Sequence, residues 1–375
     1  MKCICANSVS YGVEAFSGLG EVLELAESEF SPEKIKGADA VITRSKTRLN
    51  RELFRGSGVK FAGTCTAGID HADPGALAEL GIHFASAPGC NAHAVSEYVL
   101  AALLEASDQV GFRFKGKTLG IIGHGQVGTR VDRKARNLGF RVLRNDPPKQ
   151  AAGGVGPFVE LETLLRESDV LSLHVPLVED GPFPTRGLLG ETELSMLKPG
   201  VMLLNASRGE AIDTTSLIKA KRTGRIAWLV LDVWDPEPLI PPELLRAADL
   251  ATPHIAGHSL EGKVNGTRQI REQLCEVLKL DVPAWDPEPL MPAPEIPEVN
   301  LSDEGSLEER LRICVKACYD IRLDDRCLRA ETEDIGPLFT RLRRTYRDRR
   351  EFTATRITGL RPDEKKMYRE LGFKV

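Results

Sequence analysis

The sequence predicts an α/β protein: two doubly wound parallel-sheet domains, one inserted into the other, and a small C-terminal α/β unit. Three observations carry that expectation. Short apolar runs alternate with helical patterns from the first residues onward. A glycine turn, Gly123-His-Gly-Gln-Val-Gly128, stands between a strand pattern and a helix pattern. A proline-rich stretch from Asp281 to Pro297 marks off the last part of the chain as a separate segment.

Lys2–Cys5, Ala40–Thr43, Lys60–Gly63 and Ile82–Ala85 read as strands, and segments near Gly12–Leu19 and Pro74–Leu80 as helices. That completes one α/β unit before the glycine turn. A long helical pattern runs from Asn91 through Glu97, Leu100 and Leu104 towards Asp108, and another from Leu260 to Leu280. These two helices are expected to cross between domains. The expected division is residues 1–97 and 258–285 for a substrate domain, 98–257 for a cofactor domain, and 286–375 for the linker and C-terminal unit. The chemistry is expected in the cleft between the first two.

Around the glycine turn the context is specific. Thr118–Ile122 reads as a buried strand and Gln126–Leu138 as a helix with Val127, Val131, Ala135 and Leu138 on one face. Gly123 then gives the tight turn, Gly125 lets a pyrophosphate approach the backbone, and Gly128 lets helix and strand pack closely. A second strand, Arg141–Arg144, leads to Asp146, where a carboxylate would accept hydrogen bonds from a ribose. This is the Rossmann-like pattern of a dinucleotide site. Asp146 would repel a 2′-phosphate and so favours NAD over NADP, although Arg144 and Lys149 lie near enough to soften that preference.

The second half of the same domain delivers polar residues from successive strand ends, where open α/β sheets bind their ligands. Met202–Gly209 delivers Arg208, Ala227–Trp234 delivers Asp232 with Glu237 in the turn beyond, and Leu250–His254 delivers His254. Oxidising a secondary alcohol needs a base for the hydroxyl proton, and a neutral imidazole suits it near neutral pH. Glu237 on the other ring nitrogen would fix the tautomer, and the planar fork of Arg208 suits a carboxylate. Singly, these residues would read equally well as a surface ion pair and a packed histidine; together on one rim they point to hydride transfer on a 2-hydroxy acid. In the first domain, the loop holding Arg44 and Ser45 carries hydroxyls and cations suited to an anionic end of that substrate.

Composition fits a soluble cytoplasmic enzyme. The chain has 375 residues and a net charge of −4, which gives no general attraction to nucleic acid or to membranes. Its N-terminus lacks a long apolar region, and no stretch is apolar enough to span a bilayer. Eight scattered cysteines without ligand spacing argue for reduced, mostly buried thiols and against a metal site.

The residues also resemble the D-isomer-specific 2-hydroxyacid dehydrogenases. The stretches that carry the resemblance are Thr64–His71, Ala87–Ala92 with Ser96-Glu-Tyr98, Leu231-Asp-Val-Trp234, and His254-Ile-Ala-Gly257 with Leu260-Glu-Gly-Lys263. The C-terminal unit with Tyr319–Asp325 narrows the resemblance to a branch of that family that carries one. The resemblance implies an NAD-dependent homodimer that oxidises a small phosphorylated 2-hydroxy acid. It implies catalytic roles at Arg208, Glu237 and His254. It also implies substrate contacts at Ser45, Thr66 and His258, and NAD contacts at Gln126, Val127, Asp146, Val175, Ala206, Ser207, Arg208, Asp232 and Gly257. Three places depart from the family pattern: tyrosine is common at position 258, threonine is usual at position 175, and an acidic segment is common where Ala6-Asn-Ser8 stands. Two alternatives stay open, another dehydrogenase of the family such as one for 3-phosphoglycerate, and a non-enzymatic NAD-sensing scaffold.

The other histidines read as structural. For His124 the backbone is expected to matter more than the ring, while His174 could approach the nicotinamide region. The C-terminal unit is expected to hold two chains together, because Leu307, Leu311 and Val315 give the helix Leu307–Tyr319 an apolar stripe that needs a partner. A charged helix is expected over Pro337–Phe352, and its basic run Arg341–Arg350 reads as a solvated or dimer-facing surface.

Overall fold

The computed structural model describes residues 1–330 and 334–375. The chain forms two compact units, one from Met1–Asn91 with Ser259–Pro292, the other from Ala92–His258 with Ala293–Val375.

In the first unit, β1 (Lys2–Ala6), β2 (Glu21–Leu25), β3 (Ala40–Thr43), β4 (Phe61–Thr64) and β5 (His83–Ala85) form a parallel sheet in the order β2-β1-β3-β4-β5. β3 and β4 are buried throughout, which is why they read as continuous apolar runs. The sequence reading missed β2: it is an edge strand on which Glu21, Leu23 and Glu24 stay exposed and only Leu25 is buried. The helix Leu260–Val277, capped by the Ser259 side chain, lies against this sheet. A Cβ on Gly63 would come within 2.5 Å of Ile270, and one on Gly266 within 2.5 Å of the Cys65 carbonyl. Buried Arg271 donates to the carbonyls of Ala15 and Pro283, so the proline-rich stretch starts out tied to the unit.

In the second unit, β6 (Thr118–Ile122), β7 (Arg141–Asn145), β8 (Val170–Leu173), β9 (Val201–Asn205), β10 (Ile226–Leu231) and β11 (Leu250–Ala251) form a second parallel sheet in the order β11-β10-β9-β8-β6-β7. Strand order reverses between β6 and β8, which makes that point the expected ligand crevice. One face carries the helices Ala92–Val110 and Gln126–Asn137, with Val99, Leu103, Leu119, Ile121, Val131 and Ala135 in a single core. The other face carries Leu164, Leu165, Leu194, Leu217 and Leu244.

The C-terminal residues add a two-stranded parallel sheet, β12 (Glu298–Asn300) with β13 (Arg356–Thr358), and helices Leu307–Cys318, Ile321–Arg329, Ile335–Arg344 and Lys365–Leu371. Two expectations are corrected here. The partner for the stripe of Leu307, Leu311 and Val315 is the chain itself: Leu311, Cys314 and Val315 share a core with the helix Ala92–Val110. That helix is buried on nearly every side, so it offers an apolar face to the sheet and a second one to Leu307–Cys318. Nor does the charged helix reach Phe352, since it ends at Arg344. From there Tyr346 donates to Asp324 at 2.8 Å, Arg347 pairs with the same carboxylate, and Arg349 enters the core at 3% exposure. These contacts outweigh the helical preference of the stretch, so the basic run is not simply a solvated face.

Candidate active site

The glycine turn has the stereochemistry its sequence implies. Gly123 adopts φ +86°, and a Cβ there would lie 2.4 Å from the His174 carbonyl on the loop after β8. A Cβ on Gly128 would lie 2.1 Å from the Gly123 carbonyl, whereas one on Gly125 would meet nothing within 4 Å. Gly125 is also the N-cap of the helix Gln126–Asn137 and offers no side-chain cap, so the first amides of the helix and its positive end point to open space. An anionic pyrophosphate fits that cradle. Gln126 is exposed and Val127 half-buried beside it, while Val175 lies against Gly123.

Asp146 is half-buried at the end of β7, accepting from the His124 amide at 2.8 Å and the Lys149 amide at 3.0 Å. Neither neighbouring cation is positioned to favour a 2′-phosphate: Arg144 pairs with Asp132 at 2.6 Å and Lys149 donates to the His124 carbonyl. The His124 ring, expected to matter little, is buried with Nε2 3.0 Å from Asp132. Burial pushes the Asp132 pKa up, but the bond to His124 and the charges of Arg136 and Arg144 outweigh it, and the carboxyl is held below its usual range.

The catalytic candidates lie on the loops that follow β9, β10 and β11. After β9, Asn205 accepts from the amide and hydroxyl of Ser207 and donates to the Arg208 carbonyl, fixing the Ala206–Arg208 turn. Arg208 is half-buried and donates to the Ser207 carbonyl at 2.7 Å. This turn packs tightly on the loop after β10, where a Cβ on Gly209 would lie 2.1 Å from Trp234 backbone.

After β10 comes Asp232, with 1% exposure. Its carboxylate accepts from Thr252 Oγ1 at 2.6 Å, the Ile255 amide at 2.8 Å and the Ala256 amide at 2.9 Å. It therefore grips the His254 loop from beneath, and burial raises its pKa against those bonds and the nearby His254. Trp234 joins the loops: its indole donates to the Thr252 carbonyl and its amide to Glu237, both at 3.0 Å. Tyr98, fully buried, bonds the Thr252 hydroxyl at 2.8 Å.

His254 itself takes a left-handed backbone conformation, φ 57°, which is uncommon outside glycine and concentrates at functional sites. Its Nδ1 lies 2.9 Å from Glu237 Oε2 and 3.1 Å from Oε1. Burial pushes Glu237 up, yet the bond and charge of His254, the charge of Arg343 and the Trp234 amide outweigh it, leaving the carboxyl below its usual range. Gly257 lies in the turn closed by the His258 amide on the Ile255 carbonyl, and the His258 ring meets Tyr346 edge-on with centroids 5.6 Å apart. His174, half-buried, bonds Ser172, and burial drives its pKa down to about 3, so its ring is neutral beside the turn.

In the first unit, Arg44 is half-buried and Ser45 exposed after β3. Thr66, half-buried after β4, donates to the Gly68 carbonyl at 2.9 Å and lies 2.9 Å from the Thr64 hydroxyl, which meets His71 at 3.0 Å. Among the described residues no His, Cys, Asp and Glu group could hold a metal ion, and no helix is long and apolar enough to cross a membrane.

Sequence reasoning missed the supports: Asn205, Trp234, Thr252 and Tyr98, the His124 ring, and the C-terminal Arg343, Tyr346 and Arg349. The first four sat inside or beside quoted motifs. The C-terminal three carried no signal, because a basic run looks alike whether its members face solvent or core.

The chain is similar to known proteins in sequence and fold. Residues 91–256 match the D-isomer specific 2-hydroxyacid dehydrogenase NAD binding domain, and residues 290–372 match a domain of unknown function, DUF3410. The erythronate-4-phosphate dehydrogenase of Klebsiella pneumoniae (strain 342) is 40% identical over 380 aligned residues, covering 100% of this chain and 98% of its own. The crystal structure of the TT0316 protein from Thermus thermophilus is 30% identical with a TM-score of 0.61, covering 74% of this chain and 97% of its own. The NAD+-bound 3-phosphoglycerate dehydrogenase of Entamoeba histolytica is 28% identical with a TM-score of 0.63, covering 75% and 96%.

Proposed function

The chain belongs to the erythronate-4-phosphate dehydrogenases, within the D-isomer-specific 2-hydroxyacid dehydrogenase family, and we propose that it oxidises 4-phospho-D-erythronate to (R)-3-hydroxy-2-oxo-4-phosphooxybutanoate in the formation of pyridoxal 5'-phosphate. The cofactor is NAD. The observation that carries the reaction is His254 Nδ1 at 2.9 Å from Glu237, on the loops that follow the same sheet as the glycine turn.

Bound NAD supplies the hydride acceptor; the residues supply the rest. With Glu237 on Nδ1, Nε2 of His254 is the nitrogen left to take the hydroxyl proton as the C2 hydride departs. Glu237, ionised near neutral pH, then stabilises the imidazolium. Arg208 receives the substrate carboxylate in its planar fork. Asp232 fixes the loop that aims the imidazole. Arg44, Ser45, Thr66 and His258 read the anionic ends of the substrate.

A panel of phosphorylated 2-hydroxy acids tests this reading. 4-Phospho-D-erythronate should give the highest kcat/KM by NADH formation, ahead of 3-phosphoglycerate. Preference for 3-phosphoglycerate would move the chain to the other dehydrogenase activity, and no turnover on any acid would favour the NAD-sensing scaffold.

Two copies pair through the C-terminal residues in this reading, in the cytoplasm. The support is a pair of exposed apolar side chains, Ile313 and Leu323, on helices whose opposite faces are buried. Light scattering on a double variant, Ile313→Glu with Leu323→Glu, should return the monomer mass. An unchanged dimer would place the contact elsewhere.

A further inference from the structure

Arg349 lies far along the chain from every residue given a catalytic role, in the stretch beyond the end of the helix Ile335–Arg344. Its guanidinium is buried and sits 4.2 Å from the centre of the Tyr319 ring. One nitrogen, Nη2, donates to two carbonyls, Ala94 at 3.2 Å and Ala256 at 3.3 Å. Ala94 belongs to the first turn of the helix Ala92–Val110, and Ala256 lies two residues beyond His254.

The peptide groups around Ala256 are therefore held from two directions. Asp232 takes the amides of Ile255 and Ala256, and Arg349 takes the carbonyl of Ala256 and fastens it to a long buried helix. A buried cation needs such compensation. Burial opposes its charge, yet its surroundings hold the pKa above the ordinary value, so the guanidinium stays protonated. The neighbouring C-terminal residues point the same way. Tyr346 bonds Asp324 and packs its ring on His258, and a Cβ on Gly336 would lie 2.9 Å from Leu239, so the helix Ile335–Arg344 rests on the turn that carries Glu237.

We propose that Arg349 is a positioning residue for hydride transfer, holding the His254 loop in register with Glu237 through the carbonyl of Ala256. This rests on the assignment of His254 as the group that takes the substrate proton. It gives the C-terminal residues a part in catalysis within one chain, apart from any pairing of two chains. A misplacement of about 1 Å at a reacting group costs on the order of 10²-fold in rate, so a loop that depends on one carbonyl contact has rate to lose.

Lysine at this position keeps the charge and most of the volume, but its ammonium stops short of the Nη2 position that meets both carbonyls, and it cannot stack as a planar group. Arg349→Lys should therefore lower kcat by about 10- to 10²-fold while KM for NAD stays unchanged. The Nδ1 proton resonance of His254, which reports its bond to Glu237, should move. Tyr346→Phe unties the same segment from Asp324 and should show the same signature at smaller amplitude, and it decides the matter if the lysine variant does not fold. Wild-type kcat, an unmoved His254 resonance, or NAD affinity falling in step with kcat would overturn the proposal. His254→Ala, measured alongside, keeps the two ideas apart. Its normal turnover would refute the role of His254 in the reaction, whereas the resonance in the Arg349 variant reports the positioning contact either way.

Discussion

The loops that follow β9, β10 and β11 are held from beneath by buried side chains, while the loop that follows β3 in the first unit leaves Ser45 and Lys46 in solvent. Asn205, Asp232 and Trp234 bond the backbone of residues 207–208 and 252–256. Near Ser45 the comparable support is Thr47, whose hydroxyl bonds Glu27 together with that of Ser8. The difference fits the roles proposed for the two loops. Proton and hydride transfer tolerate little error in position, so the groups that perform them need fixed backbone. Recognising an anion needs only charge and hydroxyls that can adjust.

The largest effect expected from this contrast is at Asp232. Asp232→Ala strands two buried amides and a hydroxyl, each costing about 1–3 kcal/mol if left unsatisfied. It should lower kcat by about 10²-fold or more and lower the melting temperature as well. Wild-type kcat would mean that the loop holds itself. Next come two glycines three residues apart. Gly128→Ala drives a methyl into the Gly123 carbonyl and should destabilise the unit and abolish NAD binding together. Gly125→Ala meets no protein atom, so it should fold normally and lose NAD affinity alone. Equal melting temperatures for the two variants would contradict the cradle. In the first unit, Arg44→Ala with Ser45→Ala should raise KM for the phosphorylated acid about 10-fold, leave KM for NAD alone and leave the melting temperature unchanged. A fall in melting temperature would show that the loop is braced after all.

The smallest expected effect concerns Glu97, buried on the helix Ala92–Val110, where it accepts from the Phe352 amide. Burial, followed by the charge of Glu351, pushes its pKa up to about 8, against Lys134 and Arg349. Because the folded value lies above the ordinary one of 4.5, the stability at stake is complete below that value and is lost as pH rises through about 8. Glu97→Gln should flatten the decline in melting temperature over that window. An unchanged slope would assign it to other groups.

The parts of this protein that were legible in the sequence are those whose cause is local. Thr118–Ile122 announces a strand because a buried parallel strand must be apolar on both faces, and Gly123 and Gly128 announce a turn because only glycine fits at those two positions. Arg208, Glu237 and His254 could be picked out because each follows an apolar strand. What stayed hidden depends on partners far away in sequence. Glu21–Leu25 is an edge strand with one buried side chain, so its charges mask it. The stripe of Leu311 and Val315 shows that a partner is required but not which one, and the partner proved to be the helix Ala92–Val110. The stretch Thr345–Glu351 has the composition of a helix and is pulled out of one by Asp324, Tyr319 and the Ala256 carbonyl. His124, in the middle of the turn, looked like a spacer, and its ring is bound to a carboxylate one helical stretch away.

In the proposed reaction the histidine held by Glu237 takes the proton while NAD takes the hydride. Single-turnover NADH formation in His254→Ala tests it most directly, with NAD binding followed by cofactor fluorescence in the same samples. NAD affinity should be unchanged and the rate of hydride transfer lower by about 10²- to 10⁴-fold. Hydride transfer at the wild-type rate would contradict it.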